Sequence, residues 1–216
     1  MAKKTIKTLD AAEWQTEFKA YLLRKGKRPA NVFLLAEEAN ASEKNFYDHY
    51  NSLDALEKSI WRGYHRQTIE KVENNEEYAR YSIREKYLLY AFTLLEVLKE
   101  DRSYLLVLNE HTIRSAPYFM AYLKAFEDYA KDLIQTGIGA GELVERPFYE
   151  RLYPGFFVLN ISMIIRYWLK DESEQFEKSD VFIEKSVNAL FDLITPNVAD
   201  SITDFGKFLF QELRKK

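Results

Sequence analysis

The 216 residues carry 31 Lys/Arg against 34 Asp/Glu, a net charge of −3, and 47% of them are apolar, enough to fill a core. Gly (7) and Pro (5) are few, Tyr (15) and Phe (15) are many, and Leu, Glu, Lys and Ala are abundant, which favours an all-helical chain. The lack of cysteine excludes a disulfide framework, a thiolate metal site and a cysteine nucleophile.

The start, MAKKTIKTLD, has lysines but no apolar stretch after them, which predicts no signal peptide. Asp10 with Glu13 spells a capping box before a helix over 11–26, with Trp14, Phe18 and Leu22 on one face and Gly26 as its stop. Asn31 caps a second helix that lines up Val32, Leu35, Ala36 and Ala39. Ser42 caps a short third, with Phe46 and Tyr50 inward, and a fourth starts around Asn51 and Asp54 and runs to Val72.

Longer helices follow. One spans 76–100, with Tyr87, Leu88, Ala91, Leu94, Leu95 and Leu98 on its apolar side. The next, 102–116, ends before Pro117, and 118–137 ends in the break GIGAGEL. A helix over 147–170 contains a charge-free run, 152–165, of 14 residues, which is too short to span a bilayer and predicts a buried helix. Another, 179–194, stops at Pro196, and a last piece over 201–216 would pack Phe205, Phe208 and Leu209 on the body. The expectation is nine or ten helices, without repeats or strand alternation.

Catalytic patterns are missing from this sequence. His49, His65 and His111 stand far apart, and no Glu-x-x-His or Gly-x-Ser-x-Gly occurs. GIGAG, 137–141, follows a helix rather than a strand, so it reads as a turn and not a phosphate loop. The acidic stretch 171–180 reads as a solvated loop and cap. A protein that is not an enzyme, with no metal and no cofactor, is expected.

Residues 26–56 carry the functional argument. Two short helices joined by a three-residue turn need small residues where they touch, supplied by Ala36 and Ala39, and a turn residue that tolerates positive φ, supplied by Asn40. The Ser42 cap leaves amide hydrogens at a helix N-terminus, which suits phosphate or base edges. The first 70 residues hold 12 basic and 10 acidic side chains, a small excess with the sign of a nucleic-acid-binding head.

The set Gly26, Asn31-Val32, Leu35-Ala36, Ala39-Asn40-Ala41-Ser42, Phe46-Tyr47, His49-Tyr50 and Ser52-Leu53-Asp54-Ala55-Leu56 resembles, without a gap, the head of the tetracycline-repressor (TetR) family. The match covers roughly 12–56. The resemblance implies an all-α homodimer with a three-helix DNA-binding head over 1–51 and a larger helical ligand-binding and dimerisation bundle over 52–216. It implies that Arg28, Asn31, Ser42, Lys44, Asn45, Tyr47, His49 and Asn51 face double-stranded DNA, Tyr47 and His49 at phosphates, Lys44 and Asn45 at base edges. The family often places lysine where this chain has Glu43, Asn51 and Leu53, which removes phosphate contacts; RKGKR, 24–28, and Lys3, Lys4 and Lys7 would compensate as a basic arm.

In the body, Tyr87, Phe92, Leu95, Leu108, His111, Phe119, Tyr122, Phe156, Phe157, Asn160 and Met163 are candidates to line a pocket for a small apolar or amphipathic ligand. An aromatic stripe at helical spacing also serves as plain core, and the few polar members, His111 and Asn160, favour the pocket. The runs 156–169 and 182–194 are apolar enough to build a four-helix contact across a twofold axis. The resulting expectation is a cytoplasmic, ligand-released repressor. The alternative is a lipid- or isoprenoid-binding protein of the same fold with a DNA-silent head, a reuse known from a ubiquinone-biosynthesis protein family.

Overall fold

The computed structural model describes residues 6–110 and 117–196. Among them are nine α-helices: α1 Ala11–Lys25, α2 Val32–Ala39, α3 Glu43–Tyr47, α4 Leu53–Glu73, α5 Ile83–Lys99, α6 Arg102–Glu110, α7 Pro117–Gly139, α8 Tyr149–Leu169 and α9 Glu177–Ile194. The all-α expectation holds. The helix expected over 201–216, residues 111–116 with His111, and Lys3 and Lys4 of the basic arm lie outside the described residues.

The chain forms two compact units, one of Met1–Asn74 and Thr93–Phe126, the other of Asn75–Phe92 and Glu127–Lys216. The first is built on α1, whose capping box is complete. Asp10 Oδ1 accepts from the Glu13 amide and Glu13 Oε2 from the Asp10 amide, both at 2.8 Å. Gly26, at φ 65°, ends the helix with its amide on the Leu22 carbonyl. Trp14, Phe18 and Leu22 are buried as their spacing requires, and Trp14 meets Phe46 of α3 edge-on at 5.2 Å. α4 starts one residue from the expected place: Ser52 is the cap, accepting from the Ala55 amide at 3.1 Å.

In the second unit the long helix expected from residue 76 is interrupted. Tyr78–Arg80 form a 3-10 turn and α5 begins only at Ile83. Ser82 and Glu85 exchange hydrogen bonds as a second capping box, which stabilises a helix start there instead of continuity. The GIGAG segment is a helix-ending turn, with the Glu142 amide on the Gly137 carbonyl at 2.8 Å and Gly141 at φ 73°. Gly137 permits a close approach, since a Cβ there would lie 2.8 Å from Leu143 Cγ.

α8 lies within the helix expected over 147–170, but the expectation that it is too short to span a bilayer rested on its charge-free run alone. Its 21 residues run on through Arg166, so by length and composition it could cross a membrane, as the shorter charge-free run could not. Half of that window is buried inside the protein, as in the core helix of a globular unit. Tyr153, Phe157, Ile161, Ile164, Ile165 and Trp168 form its buried face, packed on α9. The loop before α9 also departs from a simple solvated stretch. Asp171 is buried and accepts from the amides and hydroxyls of Ser173 and Ser179 at 2.6–2.9 Å, which fastens the first turn of α9.

Candidate nucleic-acid interface and body interior

The turn between α2 and α3 forms as its residues demand. Asn40 takes the left-handed conformation, φ 55° and ψ 42°, and the Ala41 amide reaches back to the Ala36 carbonyl at 2.9 Å. Ala36 and Ala39 are buried. Ser42 Oγ then accepts from the Asn45 amide at 3.1 Å and starts α3, and Asn31 caps α2 by accepting from the Leu34 amide at 3.0 Å.

The candidate DNA-facing residues divide into three groups. Arg28, Asn31, Tyr47 and Asn51 line one shallow groove together with Pro29, Ser52 and Asp54. Lys44 and His49 are exposed on and just after α3, and Ser42 is half-buried at its cap. Asn45 is the exception. Its side chain is buried, with Oδ1 accepting from the Leu9 amide at 2.8 Å and Nδ2 donating to the Leu9 carbonyl at 3.1 Å. An amide holding both backbone groups of Leu9 cannot read an adenine, so Asn45 fastens the N-terminal segment to α3 instead. The same segment is held by the Lys7 amide on the Asn40 carbonyl, 2.8 Å, in an isolated parallel bridge.

Of the expected basic arm, Lys7, Arg24, Lys25 and Arg28 meet carboxylates among the described residues. Glu38 lies 3.3 Å from Arg24 and 3.2 Å from Lys25, and Lys7 stands 4.0 Å from Glu17. Arg28 contacts Asp54 and places Nε 2.9 Å from Oε2 of Glu57, whose side chain is fully buried. Sequence reading missed Asp54 and Glu57 as partners. Their spacing of three on one helix was a visible sign, but nothing local said that Arg28 would reach them. Burial pushes Glu57 up to about 7; the Arg28 charge lowers it and the Asp54 charge raises it. Burial first, and the Glu57 charge second, also raise the Tyr104 and Tyr118 hydroxyls.

The ligand candidates fall in both units. In the second, Tyr87 donates its hydroxyl to Asn160 Oδ1 at 2.8 Å, both residues being buried, and its ring lies 4.8 Å from Phe157. Phe92 and Phe156 are half-buried. Met163 is on the surface, 40% exposed, in a shallow hollow with Arg166, Tyr167, Lys170 and Phe182, so it does not join Asn160. In the first unit Leu95, Leu108, Phe119 and Tyr122 are buried, and the Tyr122 ring lies 6.0 Å from Trp61.

Comparison with known proteins fits this architecture. A family model for the C-terminal domain of tetracyclin repressor-like proteins matches residues 86–209. No curated protein sequence matches the chain. Among solved structures, the transcriptional regulator FadR of Bacillus subtilis, in complex with stearoyl-CoA, is similar with a TM-score of 0.61 at 14% identity, over 82% of this chain and 98% of that one. A TetR family transcription regulator from Marinobacter aquaeolei VT8 gives 0.53 at 17% identity, over 87% and 96%. The ketosteroid transcriptional regulator KstR2 of Mycobacterium tuberculosis gives 0.52 at 14% identity, over 90% and 100%. At these identities the likeness is one of fold.

Proposed function

Since this chain belongs to the tetracycline-repressor-like family, we propose that it is a cytoplasmic transcriptional repressor, not an enzyme, that binds operator DNA as a homodimer and is released by a small apolar or amphipathic ligand. The observation that carries the DNA reading is the intact α2–turn–α3 unit, with Asn40 left-handed, Ser42 capping and Lys44, Tyr47, His49 and Asn51 exposed. Asn31 and Arg28 share the groove with Tyr47 and Asn51, where the backbone of a duplex would lie.

The ligand reading rests on the Tyr87–Asn160 pair, a buried polar contact set among Phe157 and Phe191. One polar pair in an aromatic interior suits an amphipathic molecule. Stearoyl-CoA on FadR is an amphipathic ligand of this kind. The dimer reading rests on Leu152, Leu159, Met163 and Tyr167, exposed at helical spacing along α8 beside Val181 of α9.

The test is selection of duplexes from a random-sequence pool by the purified protein, then anisotropy titrations over a salt series. Enrichment of one sequence, with Lys44→Ala and Tyr47→Ala each weakening its binding, is expected. No enrichment, or unchanged affinity in both variants, overturns the DNA reading. The engagement of Arg24, Lys25 and Arg28 by carboxylates favours a second reading, a lipid- or isoprenoid-binding protein with a silent head. Native mass spectrometry showing a co-purified apolar molecule, with no enrichment of DNA, would select it.

A further inference from the structure

Arg28 sits in the α1–α2 loop, and its guanidinium spans two carboxylates of α4. Asp54 is exposed and Glu57 is fully buried. Among the described residues, the groups facing Glu57 are Arg28 from the loop, Asp54 from its own helix, Tyr104 from α6 and Tyr118 from α7. Arg28 is the one cation among them. Neither Glu57 oxygen has a well-directed hydrogen bond among the described residues, and the Tyr104 hydroxyl and Trp61 Nε1 are likewise unsatisfied there. The charge of Glu57 is therefore compensated chiefly by Arg28, and withdrawing Arg28 would leave a bare buried carboxylate. The same guanidinium lines the groove with Asn31, Tyr47 and Asn51.

We propose that Asp54 and Glu57 occupy Arg28 in place of a DNA phosphate, and that Arg28 transfers to phosphate only as Glu57 takes up a proton. This rests on the DNA-binding reading above. The exchange balances: the Arg28 contacts to Asp54 and Glu57 break, one proton moves from solvent to the Glu57 carboxylate, and an Arg28–phosphate contact forms. Burial already raises Glu57 to about 7, and Arg28 is what lowers it, so departure of Arg28 raises it further. Binding above about pH 7 thus consumes a proton, while below it Glu57 is already neutral and the linkage fades.

The experiment uses the full chain and a mixed-sequence DNA duplex at low salt, since phosphate contacts do not depend on sequence. Affinity should fall as pH rises above about 7, by at most about tenfold per pH unit for each head. Glu57→Gln should flatten that dependence relative to the natural protein and bind more tightly at alkaline pH; comparing the two removes the contribution of every other titrating group. Calorimetry of the natural protein in buffers of different ionisation enthalpy should show proton uptake on binding, a readout that needs no variant. Parallel pH profiles for the two proteins, or no proton uptake, overturn the exchange and leave DNA binding standing. No binding at any pH overturns both.

Discussion

Replacing Glu57 by Gln isolates what a buried carboxylate does to stability. Glu57 stands at about 7 in the fold against an ordinary 4.5. The folded state therefore holds the proton more tightly than the unfolded state, and stability must fall as pH rises between those two values. That gap corresponds to about 3 kcal/mol, lost from about pH 4.5 to about pH 7 and then constant. Gln keeps the shape and cannot ionise, so Glu57→Gln should gain about 2.5 kcal/mol relative to the natural protein on going from about pH 5 to about pH 8. Denaturant unfolding of both proteins at several pH values measures this difference, and the comparison cancels the fixed effect of the amide. A difference that stays constant with pH would refute the reasoning, because it would mean that the carboxylate is solvated or fully compensated. Arg28→Ala should enlarge the loss and extend it to higher pH, since its charge is the influence holding Glu57 down.

Asp171→Ala should destabilise the second unit by about 2 kcal/mol, seen as a lower midpoint in urea. Burial raises Asp171, but its four hydrogen bonds together outweigh that and bring it to about 2 from an ordinary 3.8, so its contribution is present above about pH 4 and disappears as pH falls toward about 2. Asn45→Ala should cost about 1–3 kcal/mol by freeing the Leu9 backbone, while leaving the sequence preference of DNA binding unchanged; a change of preference would return Asn45 to the base edges. Leu159→Glu should yield monomers in light scattering with helicity retained, because it places a charge on an exposed apolar face of α8 and not in the core.

The fold was legible where local chemistry and the apolar period agree. Asp10–Glu13, Asn31, Asn40 and Ser42 each announce a boundary that the structure contains, because a cap is a bond between near neighbours. Ser82–Glu85 used the same signal, but the apolar face of α5 masked it and the helix was read as continuous. The site was less legible, because its deciding contacts are long-range. Nothing near Asn45 indicates that Leu9, 36 positions earlier, will take its amide. The sequence supplies Tyr87 and Asn160 as candidates, but only the packing of α5 and α8 joins them.

Charge in the head poses the sharper problem, because a count of lysines and arginines cannot tell which of them are free. Glu38 neutralises Arg24 and Lys25, and Asp54 and Glu57 take Arg28, so the run 24–28 offers DNA less than its composition promises. Salt dependence counts the phosphates neutralised, at a slope of about 0.9 for each. If Arg28 changes partner as Glu57 gains a proton, the slope of log affinity against log salt should be steeper below about pH 7 than at an alkaline pH where binding no longer takes up a proton, by about 0.9 for each head. Glu57→Gln should show the steeper slope at both. Anisotropy titrations at those two pH values decide the matter: equal slopes in the natural protein mean that Arg28 remains on its carboxylates whether or not DNA is bound, and that Tyr47 and His49 carry the backbone contacts without it.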